Sequence, residues 1–246
     1  MSILAGSIAA PRAPVIVSDG LPPRSALLRR WRLRQLWRRF AAHTMLKPEA
    51  FKANLELVSR FADIPGCVVE CGVWRGGMSG AMAILLGPRR TYHLYDSFEG
   101  LPSAQAIDGS TARAWQEDRT SPSYHDNCRA EQSFAEEAMR LAGARDCRFV
   151  KGWFEDTAPR FDRAEQIAIL RLDGDWYAST MVCLEHLFDA VVPGGLVIFD
   201  DYYAWDGCSR AVHDFLSRRQ LTERIQQWGE HVAFMVKRPQ VTIACA

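Results

Sequence analysis

The sequence predicts an α/β domain: a mostly parallel sheet with an antiparallel edge strand, preceded by N-terminal helices and interrupted by a lid loop. Three observations predict it. From Cys67 onward, short apolar runs alternate with segments of helical pattern, as βαβ units require. The first apolar run ends in a glycine-containing turn, ECGVWRGG, suited to close approach of backbone to a ligand. Two of the most hydrophobic runs end in paired acids, in LRLDGDWYAST (residues 170–180) and PGGLVIFDDYYAWDG (residues 193–207).

Residues 1–23 are rich in Ala, Pro, Ser and Gly without periodicity and predict a mobile segment. Residues 24–64 predict helices. In the first, Leu27, Trp31, Leu36 and Phe40 mark an apolar stripe among many arginines; it reads as a helix that docks on the domain or on a second subunit, or as a membrane or nucleic-acid contact. The second spans Pro48 to Ala62.

The domain proper covers 65–240. Strands are predicted at 67–71, 91–96, 147–152, 167–173 and 195–201, with helices near 78–86, 129–142, 178–190 and 209–219. LTERIQQWGEHVAFMVKR reads as two strands joined at Gly229, the antiparallel edge. Residues 98–128 are too long and polar for a plain connection and predict a lid beside a strand end. No internal repeat or linker divides the chain.

Composition narrows the function less than the motifs do. A formal charge of +1 over 246 residues gives no global bias toward nucleic acid, and no run reaches the roughly 18 apolar residues of a transmembrane helix. Seven scattered cysteines without zinc spacing, and an N-terminus without a charged n-region, predict a soluble cytoplasmic protein.

Glu70, Gly72 and Gly76 form ExGxxxG, and Asp96, followed by Ser97, ends the second strand where an acid can bind ribose hydroxyls. The GxGxxG dinucleotide fingerprint is absent. The combination resembles class I S-adenosylmethionine-dependent methyltransferases, with a Rossmann-like sheet. That resemblance implies Glu70 and Gly72 toward the methionine moiety and Asp96 toward the ribose. Arg75 reads as a partner of the methionine carboxylate or as an exposed helix-start arginine, and Ser79 as a hydroxyl contact. Glu155 and Asp156 read as adenine contacts or as helix N-cap acids.

Asp173, Asp200 and Asp201 would converge at the ends of adjacent parallel strands, and three hard oxygen ligands favour Mg2+, Mn2+ or Ca2+ over zinc. Asp175, two residues on, is available as general base or is a turn residue; His186 and His213 are rival bases inside predicted helices. The strings VVECGVWRGG, YHLYDSFEGLP, EDTAP, LRLDGDWYAST and PGGLVIFDDYYAWDGCSRAV are similar to the macrocin O-methyltransferase family, although Met78 stands before Ser79 here. The resemblance runs from about Thr44 to Lys237. It implies an S-adenosylmethionine- and magnesium-dependent methylation of a sugar hydroxyl on a natural-product glycoside or glycan. It also implies Asp173, Asp200 and Asp201 as metal ligands, Asp175 as base, and a homodimer or higher homo-oligomer. A catechol or other phenolic diol is the alternative acceptor, and a non-catalytic binding protein on the same fold is the alternative class. Neither nucleic acid nor stable membrane insertion is expected.

Overall fold

A computed structural model describes residues 23–239, so the predicted mobile segment lies outside the described residues apart from its last position. The sheet has seven strands: β1 (Cys67–Cys71), β2 (Thr91–Asp96), β3 (Asp146–Lys151), β4 (Ile167–Leu172), β5 (Val191–Phe199), β6 (Gln226–Trp228) and β7 (Val232–Val236). Their order is β3-β2-β1-β4-β5-β7-β6. The first five pair in parallel; β7 pairs antiparallel with both β5 and β6, giving the expected antiparallel edge.

The helices are α1 (Pro23–Phe40), α2 (Pro48–Ser59), α3 (Gly77–Leu86), α4 (Gly109–Glu117), α5 (His125–Cys128), α6 (Gln132–Ala142), α7 (Phe154–Thr157), α8 (Tyr177–Leu187) and α9 (Asp206–Arg218). Strands buried on both faces carry near-continuous apolar sequence, as β1 and β4 do. Val68, Leu94 and Ile198 pack toward α1, α2, α3 and α6 on one face. Val69, Leu170 and Val197 pack toward α8 and α9 on the other. The strand order reverses between β1 and β4, and ligand crevices in such sheets open at that switch point, outside the carboxyl ends of the strands.

Several elements differ from expectation; α2, expected to reach Ala62, ends at Ser59, and α9 begins at Asp206. In α1 the buried residues are Leu33, Leu36 and Phe40, with Trp37 packed beside them, while Leu27 and Trp31 are about 60% exposed. Positions 33, 36, 37 and 40 hold the i, i+3, i+4, i+7 spacing, whereas the interval from 31 to 36 turns the helix off that face. Among the described side chains, the apolar contacts of α1 with the core come from its C-terminal half. β5 starts at Val191, which pairs with Ile167 of β4, and continues through Gly194 and Gly195, which exchange backbone bonds with Lys237. Helix α6 starts at Gln132 because its N-cap Glu131 is extended.

The predicted lid is an ordered cover. Gln116 accepts from the Ala104 N–H (2.7 Å) and donates to the Pro102 carbonyl and the Asn127 side chain (2.9 Å each). His125, Asp126, Asn127 and Cys128 all have φ between 47° and 59°, so α5 is a left-handed turn of four non-glycine residues. That conformation costs about 1–2 kcal/mol per residue, and here it is held by the bond from Asn127 to the Leu101 carbonyl (2.7 Å) and by the Leu101 N–H to the Asn127 carbonyl (3.0 Å). Among the described residues no helix is long and apolar enough to cross a membrane.

Gly72 fixes the approach of β1 to β4. Its φ is +89°, and a Cβ there would collide with the Asp173 carbonyl. Gly143, the left-handed cap of α6, has open space where its Cβ would be. Gly143→Ala should therefore cost about 1–2 kcal/mol, and Gly72→Ala more than about 3 kcal/mol, both read by urea denaturation; equal losses would contradict this assignment.

Candidate active site

The crevice at the switch point is lined by Glu70, Gly72, Asp96, Ser97, Glu155, Asp173, Asp175, Asp200 and Asp201, and by residues of the cover and of the segment after α1. Arg75, Gly76, Ser79 and Asp156, also predicted as binding residues, do not line it. Their positions have local causes. Arg75 stacks its guanidinium between the rings of Trp74 (4.5 Å) and Phe134 (4.6 Å). Gly76 is the left-handed N-cap of α3, where a Cβ would approach the Ala135 Cα to 2.8 Å, so its freedom serves helix packing. Ser79 is buried and donates its hydroxyl to Glu70. Asp156 is exposed in the short helix α7.

Asp96 organises the glycine turn. One carboxylate oxygen accepts the N–H groups of Val73 (2.7 Å) and Trp74 (2.8 Å), and the other accepts that of Phe98 (2.7 Å). Burial raises its pKa, and the three backbone donors pull it back. Ser97 donates to the Gly100 carbonyl (2.9 Å) and accepts from the Glu99 N–H (3.0 Å), which bends the chain into the cover. Asp96 and Ser97 thus shape the crevice wall as well as line it.

The acids are gathered around a residue that sequence reasoning missed. Arg171, 1% exposed, reaches Glu70 Oε1 (2.7 Å), Asp173 Oδ2 (2.7 Å) and Asp200 Oδ1 (2.6 Å). Asn54, buried in α2, accepts from Arg171 Nε (3.4 Å) and donates to Asp200 Oδ1 (3.3 Å). The available signal was an arginine inside an otherwise apolar strand, which can be buried only against acids. Burial raises Glu70, and Arg171 opposes the rise. Burial also raises Asp173, against the pull of Arg171, with Asp200 and Asp175 pushing it further.

Asp175 stands at φ +58° in the DGD turn, so the backbone bends sharply after Asp173 and turns the next acid back into the crevice. Its N–H donates to Asp201 Oδ2 (2.9 Å), and its Oδ1 accepts from Trp205 Nε1 (2.8 Å). Burial pushes the Asp175 carboxyl up to about 7, a value suited to a general base at neutral pH. Asp201 is raised by burial and then by Asp175, Asp173 and Asp200. Oxygens of Asp173, Asp175 and Asp201 all lie within 4.8 Å of one another. Mutually repelling, all-oxygen donors of this kind fit a hard divalent cation. Asp200, expected as the third ligand, is not one of these three, and Asp175 stands in its place; Asp200 lines the same crevice with its Oδ1 committed to Arg171 and Asn54. Neither His186 nor His213 lines the crevice; His213 bonds the Tyr202 hydroxyl (2.9 Å).

The cover is latched by aromatics. Trp115 of α4 packs against Trp176 and Trp205, with centroids 6.1 and 5.8 Å away, and Trp176 donates to the Pro102 carbonyl (2.9 Å). The acid-bearing loops and the cover therefore share one hydrophobic joint.

Residues 29–237 match the family model described as Macrocin-O-methyltransferase (TylF). The chain is 36% identical over 170 residues to the 8-demethyl-8-(2,3-dimethoxy-alpha-L-rhamnosyl)-tetracenomycin-C 4'-O-methyltransferase of Streptomyces olivaceus, a match covering 67% of this chain and 63% of that protein. It is 33% identical over 195 residues to the mycinamicin III 3''-O-methyltransferase of Micromonospora griseorubida, covering 75% and 74%. Among solved structures it is similar to the O-methyltransferase NovP, with a TM-score of 0.67 and 27% identity over 80% of this chain and 83% of that one. The calicheamicin methyltransferase CalS11, at 20% identity, shares the fold with a TM-score of 0.59 over 89% and 98%.

Asp96→Asn should expose the role of that carboxylate in holding the turn. An amide retains one oxygen and turns a donor toward backbone N–H groups, so a loss of about 2–4 kcal/mol is expected in chemical denaturation. Unchanged stability would show that the three N–H bonds do not hold the turn.

Proposed function

Because the chain belongs to the macrocin O-methyltransferase (TylF) family, we propose that it transfers the methyl group of S-adenosylmethionine to a sugar hydroxyl of a natural-product glycoside. The Streptomyces olivaceus relative is named for a rhamnosyl-bearing tetracenomycin and the Micromonospora griseorubida relative for mycinamicin III, and the first of these names supports this acceptor class. The observation that carries the reading is the meeting, in one crevice at the switch point, of Asp96 and Gly72 with the acids after β4 and β5. Asp96, its carboxylate fixed by three backbone donors, is a preset acceptor for the ribose hydroxyls. Gly72 and Glu155, the latter on α7 after β3, also line the crevice, and we assign Gly72 to the methionine moiety and Glu155 to the adenine.

We assign Asp173, Asp200 and Asp201 as ligands of a divalent cation, magnesium by preference. Asp173 and Asp200 each keep one oxygen outside the Arg171 pairs. Bound there, the ion supplies Lewis acidity that lowers the pKa of the acceptor hydroxyl and fixes its direction. Asp175 takes the hydroxyl proton at Oδ2, because Trp205 already occupies Oδ1. The hydroxyl oxygen forms the new bond to the methyl carbon, and the electron pair of the broken S–C bond stays on sulfur. The cover, latched through Trp115 and Trp176, keeps water from the sulfonium and aligns the acceptor.

Purified protein incubated with S-adenosylmethionine and a panel of rhamnosylated polyketides should add one methyl group by mass spectrometry. Activity should disappear with EDTA and return with Mg2+; undiminished turnover in EDTA would overturn the metal assignment. Turnover of catechols alone, with no sugar methylated, would overturn the acceptor class. Asp175→Asn should lower kcat by about 10²–10⁴, measured at saturating cofactor.

A further inference from the structure

Arg171 is the one basic residue within β4, whose six residues are all buried, and its neighbours across the sheet are Glu70 on β1 and Ile198 on β5. Its guanidinium gathers one carboxylate from the end of each of three strands: Glu70 of β1, Asp173 beyond β4 and Asp200 beyond β5. Three carboxyl groups thus share one guanidinium, before Asp175 and Asp201 are counted. Even a balanced buried pair is often no better for stability than an apolar replacement, so stability alone does not account for this acid-rich cluster. The excess instead leaves the crevice side of the cluster suited to a further cation.

The geometry adds direction to that charge. Arg171 occupies Asp173 Oδ2 and Asp200 Oδ1, and Asn54 closes the ring by bonding both Arg171 Nε and Asp200 Oδ1. The planar fork can take carboxylates in different directions at once, which a lysine ammonium on a flexible stem cannot reproduce. We infer that Arg171, braced by Asn54, is a positioning residue that pins one oxygen of Asp173 and one of Asp200 so that the other oxygen of each meets a divalent cation together with Asp201. This rests on the cation assignment proposed above.

The test is Mn2+ binding to the full chain, free of cofactor and acceptor, followed by calorimetry and by the loss of the free-ion electron paramagnetic resonance signal. Arg171→Lys keeps the charge and removes the fork. The Mn2+ dissociation constant should weaken by about 10–100-fold, as for other partners that orient metal ligands, in protein whose cooperative melting shows it to be folded. Asn54→Ala, which leaves the arginine in place, should weaken it less and in the same direction, and it serves as the test if the lysine variant does not fold. Mn2+ affinity unchanged in the folded variants would overturn the inference while leaving the cation assignment intact. Failure of the unaltered chain to bind Mn2+ would overturn the cation assignment, and this inference with it.

Discussion

The interaction on which the rest of the site depends is the buried contact of one guanidinium with three carboxylates. Arg171 ties together the ends of β1, β4 and β5, the three adjacent strands at the point where the sheet reverses its order. Removing either side would leave charge stranded in the interior, an error worth about 3–5 kcal/mol. The strand ends are therefore held in one relative position, and every acid beyond them inherits that position. Gly72 contributes on the backbone, because the absence of a side chain lets the β1 turn lie against the Asp173 carbonyl.

From that anchored frame the two halves of the crevice diverge in chemistry. On the β1–β2 side, Asp96 gathers three backbone N–H groups and makes a rigid wall with a preset acceptor. On the β4–β5 side the acids exceed the positive charge available, and the DGD turn brings Asp175 back toward Asp201. Trp205 links this turn to the cover through its bond to Asp175 and its contact with Trp115. The position of Asp175 and that of the cover are thus mechanically connected.

Much of this was legible in the sequence, for a physical reason. Parallel strands buried on both faces must be apolar, so β1 and β2 could be read to the residue and β4 to within one position. The acids beyond β4 and β5 stood out because charge is costly beside such strands. What stayed hidden depends on contacts distant in sequence. Arg171 and Asn54 are separated by 117 positions, and their bond exists only because α2 packs over the strand ends. Ser79 and Gly76 sit at binding-motif positions, yet one holds Glu70 and the other admits α6, choices made by packing partners. In α1, an apolar stripe was visible, but which of its residues would find a neighbour was fixed by where α2 and α3 end up.

The central claim is that the acids beyond β4 and β5 form one divalent-cation site beside the cofactor crevice. Crystals of the protein with S-adenosylhomocysteine and Mn2+, measured at a wavelength where manganese scatters anomalously, test it most directly. A single anomalous peak within about 2.0–2.4 Å of oxygens from Asp173, Asp200 and Asp201 is the predicted result. A fully occupied cofactor site with no anomalous peak among these carboxylates would contradict it.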